Sequence, residues 1–180
     1  MEFAQKTIFT IGHSTHSAEL FLKMLKSQGI KVLVDIRRFP GSRNYPHFNR
    51  ENLKEFLENQ GISYEHFEEL GGRRKIQKDS KNHRWKNASF RAYADYMETQ
   101  EFQSGIEKLE EIALENPTAY MCSEAVWWRC HRSLVSDYLK ASGWNVIHIM
   151  AVDKTEEHPF TSPARVVDGK VFYSDENLFE

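Results

Sequence analysis

"KVLVDI", residues 31–36, is apolar at four of its six positions and places its charges only at residues 31 and 35. A strand that is apolar on successive residues has both faces covered, as happens when a parallel strand lies between two layers of helix. The same pattern extends in both directions. Upstream, "KTIFTIG" (6–12) is a β-rich run ending in glycine. Ser17 then caps a helix with Leu20, Phe21, Met24 and Leu25 on one face, and Gly29 stops it. Downstream, Asn49 caps the helix "ENLKEFLENQ", Gly61 closes it, and "ISYEHF" is a weaker third strand. Helical periodicity returns in "FRAYADYM" and "GIEKLEEIAL", until Pro117 ends it. "TAYMC" (118–122) is the next strand. A helix over about 130–142, with Leu134, Val135, Tyr138 and Leu139 on one face, leads through Gly143 to "NVIHIM", the last central strand.

Strand and helix alternate throughout, which predicts an α/β fold. The expected form is a single domain, a mainly parallel sheet with helices on both faces, in a Rossmann-like or rhodanese-like layout. In the tail, Asp168-Gly169 between the β-branched runs of "ARVVDGKVFY" predicts a C-terminal β-hairpin at the sheet edge. The motif-bearing core spans about 7–150, and 151–180 is an extension. A chain of 180 residues can bury one substantial core.

A formal net charge of -2 provides no global field for nucleic acid or an anionic membrane, so any anion site must be local. No apolar run is long enough to span a bilayer. "MEFAQKTIFTIGHS" has neither the cationic start nor the apolar stretch of a signal peptide, and the only two cysteines lie close together; a cytoplasmic protein with reduced thiols is expected. No motif calls for a cofactor.

Ligands in such sheets sit beyond the carboxyl ends of the strands. Three strand ends carry chemistry: Gly12-His13-Ser14; Asp35 with "RRFPGSR"; and "CSEAVWWRCHRS" from Cys122. The ends of "TIFTIG", "VLVDI" and "TAYMC" are expected side by side, so that His13, Arg37 and Cys122 line one cleft. Arg37 and Arg43, on a Pro40-Gly41 turn with Ser42, can fork onto a phosphate or carboxylate, and His13, Ser14 and Arg132 join them as anion-binding residues. Asp35 is either an acid/base or half of an ion pair that holds the loop.

Cys122, at a strand end among Arg37, Arg129 and Arg132, is expected to be the more reactive thiol and the nucleophile, with Cys130 entering a packed helix. The plain alternative is a small core residue. Glu124 and His131 are the acid/base candidates. A zinc set of Cys122, Cys130, His131 and His13 is conceivable, but the Cys-x7-Cys spacing matches no common structural knuckle, and no metal is expected. "GGRRKIQKDSKNHRWK" holds seven lysines and arginines against one aspartate. Arg73, Arg74, Lys75 and a stacking Trp85 are its nucleic-acid candidates; a solvated loop or a lid over the rim are the alternatives.

"TIGHS", "LVDIRRFPGSR", "LGG", "FRAYADYM", "CSEAVWWRCHRSL" and "GWNVIHI" together resemble the bacterial and archaeal domain-of-unknown-function family 488 (DUF488) from about Thr7 to Ile149. The resemblance implies a compact cytoplasmic α/β domain and no established reaction. Its pattern falls on the rim residues above, and adds Gly12, Pro40, Tyr93 and Cys130. The layout is also similar to rhodanese-like sulfurtransferases. "SEAVWW", between Cys122 and Arg129, is however longer by one residue than the cysteine-phosphatase cradle and lacks its glycines.

The function expected from the sequence is a cysteine-dependent enzyme acting on a small anionic, phosphate-bearing ligand, with a nucleotide or nucleic acid among the possible ones. Two alternatives stand beside it: a non-catalytic nucleotide or nucleic-acid module, and a Cys/His metal-site or structural protein.

Overall fold

The computed structural model describes residues 5–178. Strand β1 (Thr7–Gly12) leads through α1 (Ala18–Ser27) to β2 (Val32–Asp35), and α2 (Arg50–Glu58) leads to β3 (Ser63–His66). Helices α3 (Ala88–Tyr96) and α4 (Gln100–Glu115) precede β4 (Thr118–Cys122); α5 (Arg132–Ala141) and β5 (Asn145–Ala151) follow. The chain ends with β6 (Lys154–Glu157), β7 (Arg165–Val167) and β8 (Lys170–Phe172).

The main sheet runs β3-β2-β4-β1-β5-β6, parallel except for β6. Side chains of a strand alternate between faces. Leu33, Ala119, Met121 and Ile11 accordingly face Phe21, Leu25, Leu53 and Leu57 of α1 and α2. Val32, Val34, Tyr120 and Ile8 face the other way, onto Tyr93, Phe102, Ile106, Leu134 and Leu139 of α3, α4 and α5. This is the α/β domain with two covered faces that "KVLVDI" predicts.

Three details depart from the expected pattern. Leu20 is largely exposed, so α1 buries only Phe21, Met24 and Leu25. Asn49 stands at the cap position of α2, but its Oδ1 accepts from Ser42 N at 2.7 Å and so braces the Pro-Gly turn. The hairpin forms, with Asp168 and Gly169 both at positive φ (51° and 76°), but as a separate two-stranded sheet. Its Val171 packs on the α3–α5 side. The main sheet has β3 at one edge and β6 at the other, and the "KTEE" of β6 is exposed at every residue. A charged, solvent-facing edge strand protects against pairing with other chains, and it carries no hydrophobic alternation by which to be read.

Candidate active site

In the sheet order, β1 and β4 are neighbours, with Gly12 beside Cys122. The helix after β1 lies on one face and the helix after β4 on the other. The two loops therefore part at this point, and a crevice opens between them, as at the switch point of any doubly wound sheet. The cleft has a volume of about 600 Å³. His13, Arg37 and Cys122 all line it, as expected, together with Ser14, Ser42, Tyr93, Glu124, Cys130 and His131.

Gly12 makes this junction possible. A Cβ there would lie 1.7 Å from the carbonyl oxygen of Glu124 and 2.9 Å from the Arg132 guanidinium. Backbone hydrogen bonds from His13 N to Cys122 O (3.0 Å) and from Ser14 N to Ser123 O (2.9 Å) carry the strand pairing into the loops.

Arg132 lies beneath the floor of the cleft and is only 1% exposed. Its Nε donates to Cys122 Sγ at 3.0 Å, one terminal nitrogen to Thr10 Oγ1 at 3.1 Å, and the other to Glu124 O at 2.7 Å. Its backbone N–H, at the start of α5, donates to Cys130 Sγ at 3.4 Å. No carboxylate pairs with this guanidinium among the described residues.

The two free thiols share the site of one charge. Burial opposes ionisation of Cys130. The hydrogen bond from Cys122 and the charge and backbone N–H of Arg132 outweigh it, and its pKa falls to about 7. Burial, and then the hydrogen bond and charge of Cys130, push Cys122 well above an ordinary thiol. Both directions favour Cys130 for the negative charge, where sequence favours Cys122: the Cys122 hydrogen bond and Arg132 stabilise an anion on Cys130. His131 Nδ1 lies 3.5 Å from Cys130 Sγ, while its Nε2 meets Ile36 O at 3.0 Å. The carbonyl can only accept, so Nε2 carries the hydrogen and Nδ1 faces the thiol as an acceptor. Burial holds the His131 pKa below its usual value. Tyr93, whose hydroxyl donates to Leu70 O at 2.7 Å, packs its ring against His131 at 5.1 Å.

The expected arginine clamp takes a different form. Arg37 turns inward: Nε and one terminal nitrogen meet the two oxygens of Asp35 at 2.9 and 2.7 Å, and that same nitrogen also donates to Phe48 O. Asp35 also accepts from Arg37 N and from the Tyr64 hydroxyl, so its oxygens are saturated in a buried ion pair and it does not line the cleft. The remaining terminal nitrogen of Arg37 meets His13 Nε2 at 3.3 Å, and His13 Nδ1 meets Ser14 O at 2.9 Å. Both ring nitrogens are thus engaged. Burial, mainly, lowers the His13 pKa to about 4. Arg43 is exposed and lies outside the cleft; Arg38, Arg73 and Arg129 are the further cations on its walls, Arg38 donating to Arg73 O at 2.6 Å, and Glu124 is the only carboxylate there among the described residues. The sequence reading had considered Arg129 only as a partner of Cys122, and had noted Arg38 without a role.

The basic loop is not a stacking platform. Trp85 is 9% exposed and packs edge-on against Phe90 at 5.1 Å. Arg74 donates to Gly71 O and Glu68 O and lies over the Tyr96 ring at 3.8 Å. Asp95 of α3 pins the loop by accepting from Gln77 N, Ser80 Oγ and Asn82 Nδ2. Only Arg73 and Lys75 remain as exposed basic groups from the expected set. No group of three or more metal-ligating side chains is assembled among the described residues, and no helix there is long and apolar enough to cross a membrane.

The sequence reading missed Thr10, Asp137, His148 and His158, all fully buried next to this site. The one available signal was the histidine inside the apolar run "NVIHIM".

The family model described as Domain of unknown function DUF488 matches residues 17–139, more than half of the chain. His13, Ser14 and "GWNVIHI" lie outside the matched span, while Asp35, Arg37, Cys122 and the Cys130-His131-Arg132 group lie within it. No curated protein and no solved structure matches the chain. The chain belongs to the DUF488 family.

Proposed function

We propose that this protein is a cysteine-dependent enzyme acting on a small anionic ligand. A single observation carries the reading. Arg132 is a permanently charged, buried group whose only partners able to become anions, among the described residues, are the thiols of Cys122 and Cys130. Burying a charge without a counter-charge costs several kcal/mol, so the favourable state of the site is one guanidinium with one thiolate.

In this reading Cys130 supplies the attacking thiolate, its proton lost to solvent, and the neutral His131, held in orientation by Ile36 O, faces it through Nδ1. Cys122 donates its S–H to the thiolate and releases it on attack. Arg38, Arg73 and Arg129 draw in the anion, and a phosphate group suits their forked donors. Glu124 stands at the wall as the one carboxylate available to move a proton to a leaving group.

The test is iodoacetamide labelling across pH, with each cysteine identified by peptide mass spectrometry, with and without inorganic phosphate. The expected result is labelling of Cys130 with a midpoint near 7, slowed by phosphate. Labelling of both cysteines only on unfolding would reduce them to core residues and end the proposal.

A further inference from the structure

Behind Arg132 a line of buried polar groups crosses the core. Its terminal nitrogen reaches Thr10 Oγ1 on β1; Thr10 Oγ1 lies 2.5 Å from His148 Nδ1 on the paired strand β5. His148 Nε2 lies 2.9 Å from His158 Nδ1, and His158 Nε2 lies 2.9 Å from Asp137 Oδ1. Asp137 is on α5, five residues beyond Arg132, so the line leaves that helix and returns to it. Thr161 N, Thr161 Oγ1 and the Tyr173 hydroxyl also donate to the Asp137 carboxylate. Trp127, from the segment joining the two cysteines, stacks on His148 at 4.7 Å and 3°.

With one hydrogen on each imidazole, the two ends fix the direction of every hydrogen between them. A guanidinium can only donate and a carboxylate can only accept. His158 must therefore carry its hydrogen on Nε2, His148 likewise, and the Thr10 hydroxyl must donate to His148 while it accepts from Arg132. A chain of hydrogen bonds that all run one way polarises cooperatively in a low dielectric. It also leaves the guanidinium one orientation, with Nε on Cys122. An apolar core would be cheaper to fold than five buried polar side chains in a row.

We infer that Asp137, His158, His148 and Thr10 are positioning residues that hold the Arg132 guanidinium against the thiol pair and thereby set its charge state. This inference rests on the thiolate reading of the site. The other titratable or charged groups around the thiols are His131 at the start of α5, Tyr93 from α3, Tyr120 of β4, Arg74 of the loop after β3, which acts on His131, and His13, Glu124 and Arg129 on the cleft walls. None of them belongs to the line. Thr10 carries no charge, so its replacement acts on the thiols through Arg132.

The experiment compares the pH dependence of iodoacetamide labelling in the full-length wild type, Thr10→Val, Thr10→Ser and Asp137→Asn, with urea unfolding of each. Thr10→Val keeps the shape but removes the acceptor of Arg132 and the donor to His148. Labelling at pH 7 is expected to slow about fivefold, as the midpoint rises by about one unit. Thr10→Ser restores the hydroxyl and is expected to restore the wild-type midpoint. Asp137→Asn leaves His158 an acceptor and removes a buried negative charge, so it is not expected to raise the midpoint as Thr10→Val does. Loss of stability with an unchanged midpoint would make the line purely structural and overturn the inference.

Imidazole nitrogen NMR of the wild type gives a second reading that needs no variant to fold. Both His148 and His158 should carry hydrogen on Nε2 and none on Nδ1; the opposite tautomer at either residue breaks the line. A wild type without a thiolate near neutral pH would instead sink the thiolate reading itself, a failure visible before any variant is made.

Discussion

Arg37 and Arg132 are both buried at the same rim, yet they are held in opposite ways. Arg37 meets the carboxylate of Asp35 through two paired hydrogen bonds, and its charge is cancelled inside the fold. Arg132 meets a sulfur, a hydroxyl and a carbonyl, none of them charged unless a thiol ionises. Sequence puts both near strand ends, Arg37 in the loop after its strand and Arg132 at the start of the helix that follows the cysteine strand. The difference teaches where function resides: a satisfied charge holds a loop in place, while an unsatisfied one acts on whatever group can answer it.

The largest effect expected breaks the first half of this contrast. Asp35→Ala leaves the Arg37 guanidinium buried and alone, which should cost about 3–5 kcal/mol in urea unfolding. The labelling midpoint of the thiols should stay where it was, because Arg132 is untouched. A loss below about 1 kcal/mol would mean that Arg37 readily rehydrates and is free to serve as the anion clamp after all.

Next in size is the response to acid. His13, His131 and His148 are all held below the usual imidazole pKa by burial, His13 at about 4 and His148 at about 2. The unfolded chain therefore binds protons that the folded chain refuses as pH falls below about 6.5, and stability drops with pH. For His13 the loss between pH 6.5 and 4 is about 3 kcal/mol, complete once its folded pKa is passed. His148 continues to lose stability below that. A flat unfolding midpoint between pH 7 and 4 would show that these imidazoles are hydrated, and the buried line from Arg132 to Asp137 with them.

The second half of the contrast is tested with Arg132→Met, which keeps bulk and removes charge. The thiols should then ionise as ordinary buried thiols, at least two units higher, and labelling at pH 7 should slow at least about fiftyfold. Stability should suffer less than in Asp35→Ala, since the abandoned partners can simply stay protonated. Unchanged labelling would assign the thiolate to the helix start alone and leave Arg132 as scaffolding.

The fold was legible because its elements obey one pattern each. Val32, Leu33 and Val34 show a doubly covered strand, and Ser17 and Gly29 bracket a helix that forms between them. Strand β6 was not legible, because a fully exposed edge strand such as "KTEE" carries no apolar signal. The cleft itself was readable from its strand ends, since parallel strands bring their carboxyl ends to one rim, but the strand order that makes Gly12 and Cys122 neighbours was not. Side-chain direction was not. Arg37 and Arg43 sit on one turn, and only the buried Asp35 and the packing of Phe48 decide that one points inward while the other faces water. Thr10 and His148 lie far apart in the chain and meet only through the register of β1 with β5, a pairing of strands that no local motif records.

The smallest effect concerns the exposed cations, where sequence and structure nominate different residues. Sequence placed Arg43 in the anion clamp, but it lies outside the cleft, whereas Arg129 lines it beside Cys130 and His131. Both side chains are exposed, so water screens them and each contributes little alone. In the phosphate-protection assay, Arg129→Ala should raise the phosphate concentration needed for half-protection by roughly threefold to tenfold, a step consistent with the loss of one charge-assisted contact. Arg43→Ala should leave it within about twofold, because its charge is neither in the cleft nor shielded from solvent. The difference between the two should shrink as sodium chloride is raised, since exposed charges act through a screened field. An equal loss from both variants would mean that the anion responds to the general charge of the rim and is not held at this cleft. A loss from Arg43→Ala alone would put the anion on the Pro40-Gly41 turn, away from the thiols, and separate the binding site from the chemistry proposed for Cys130.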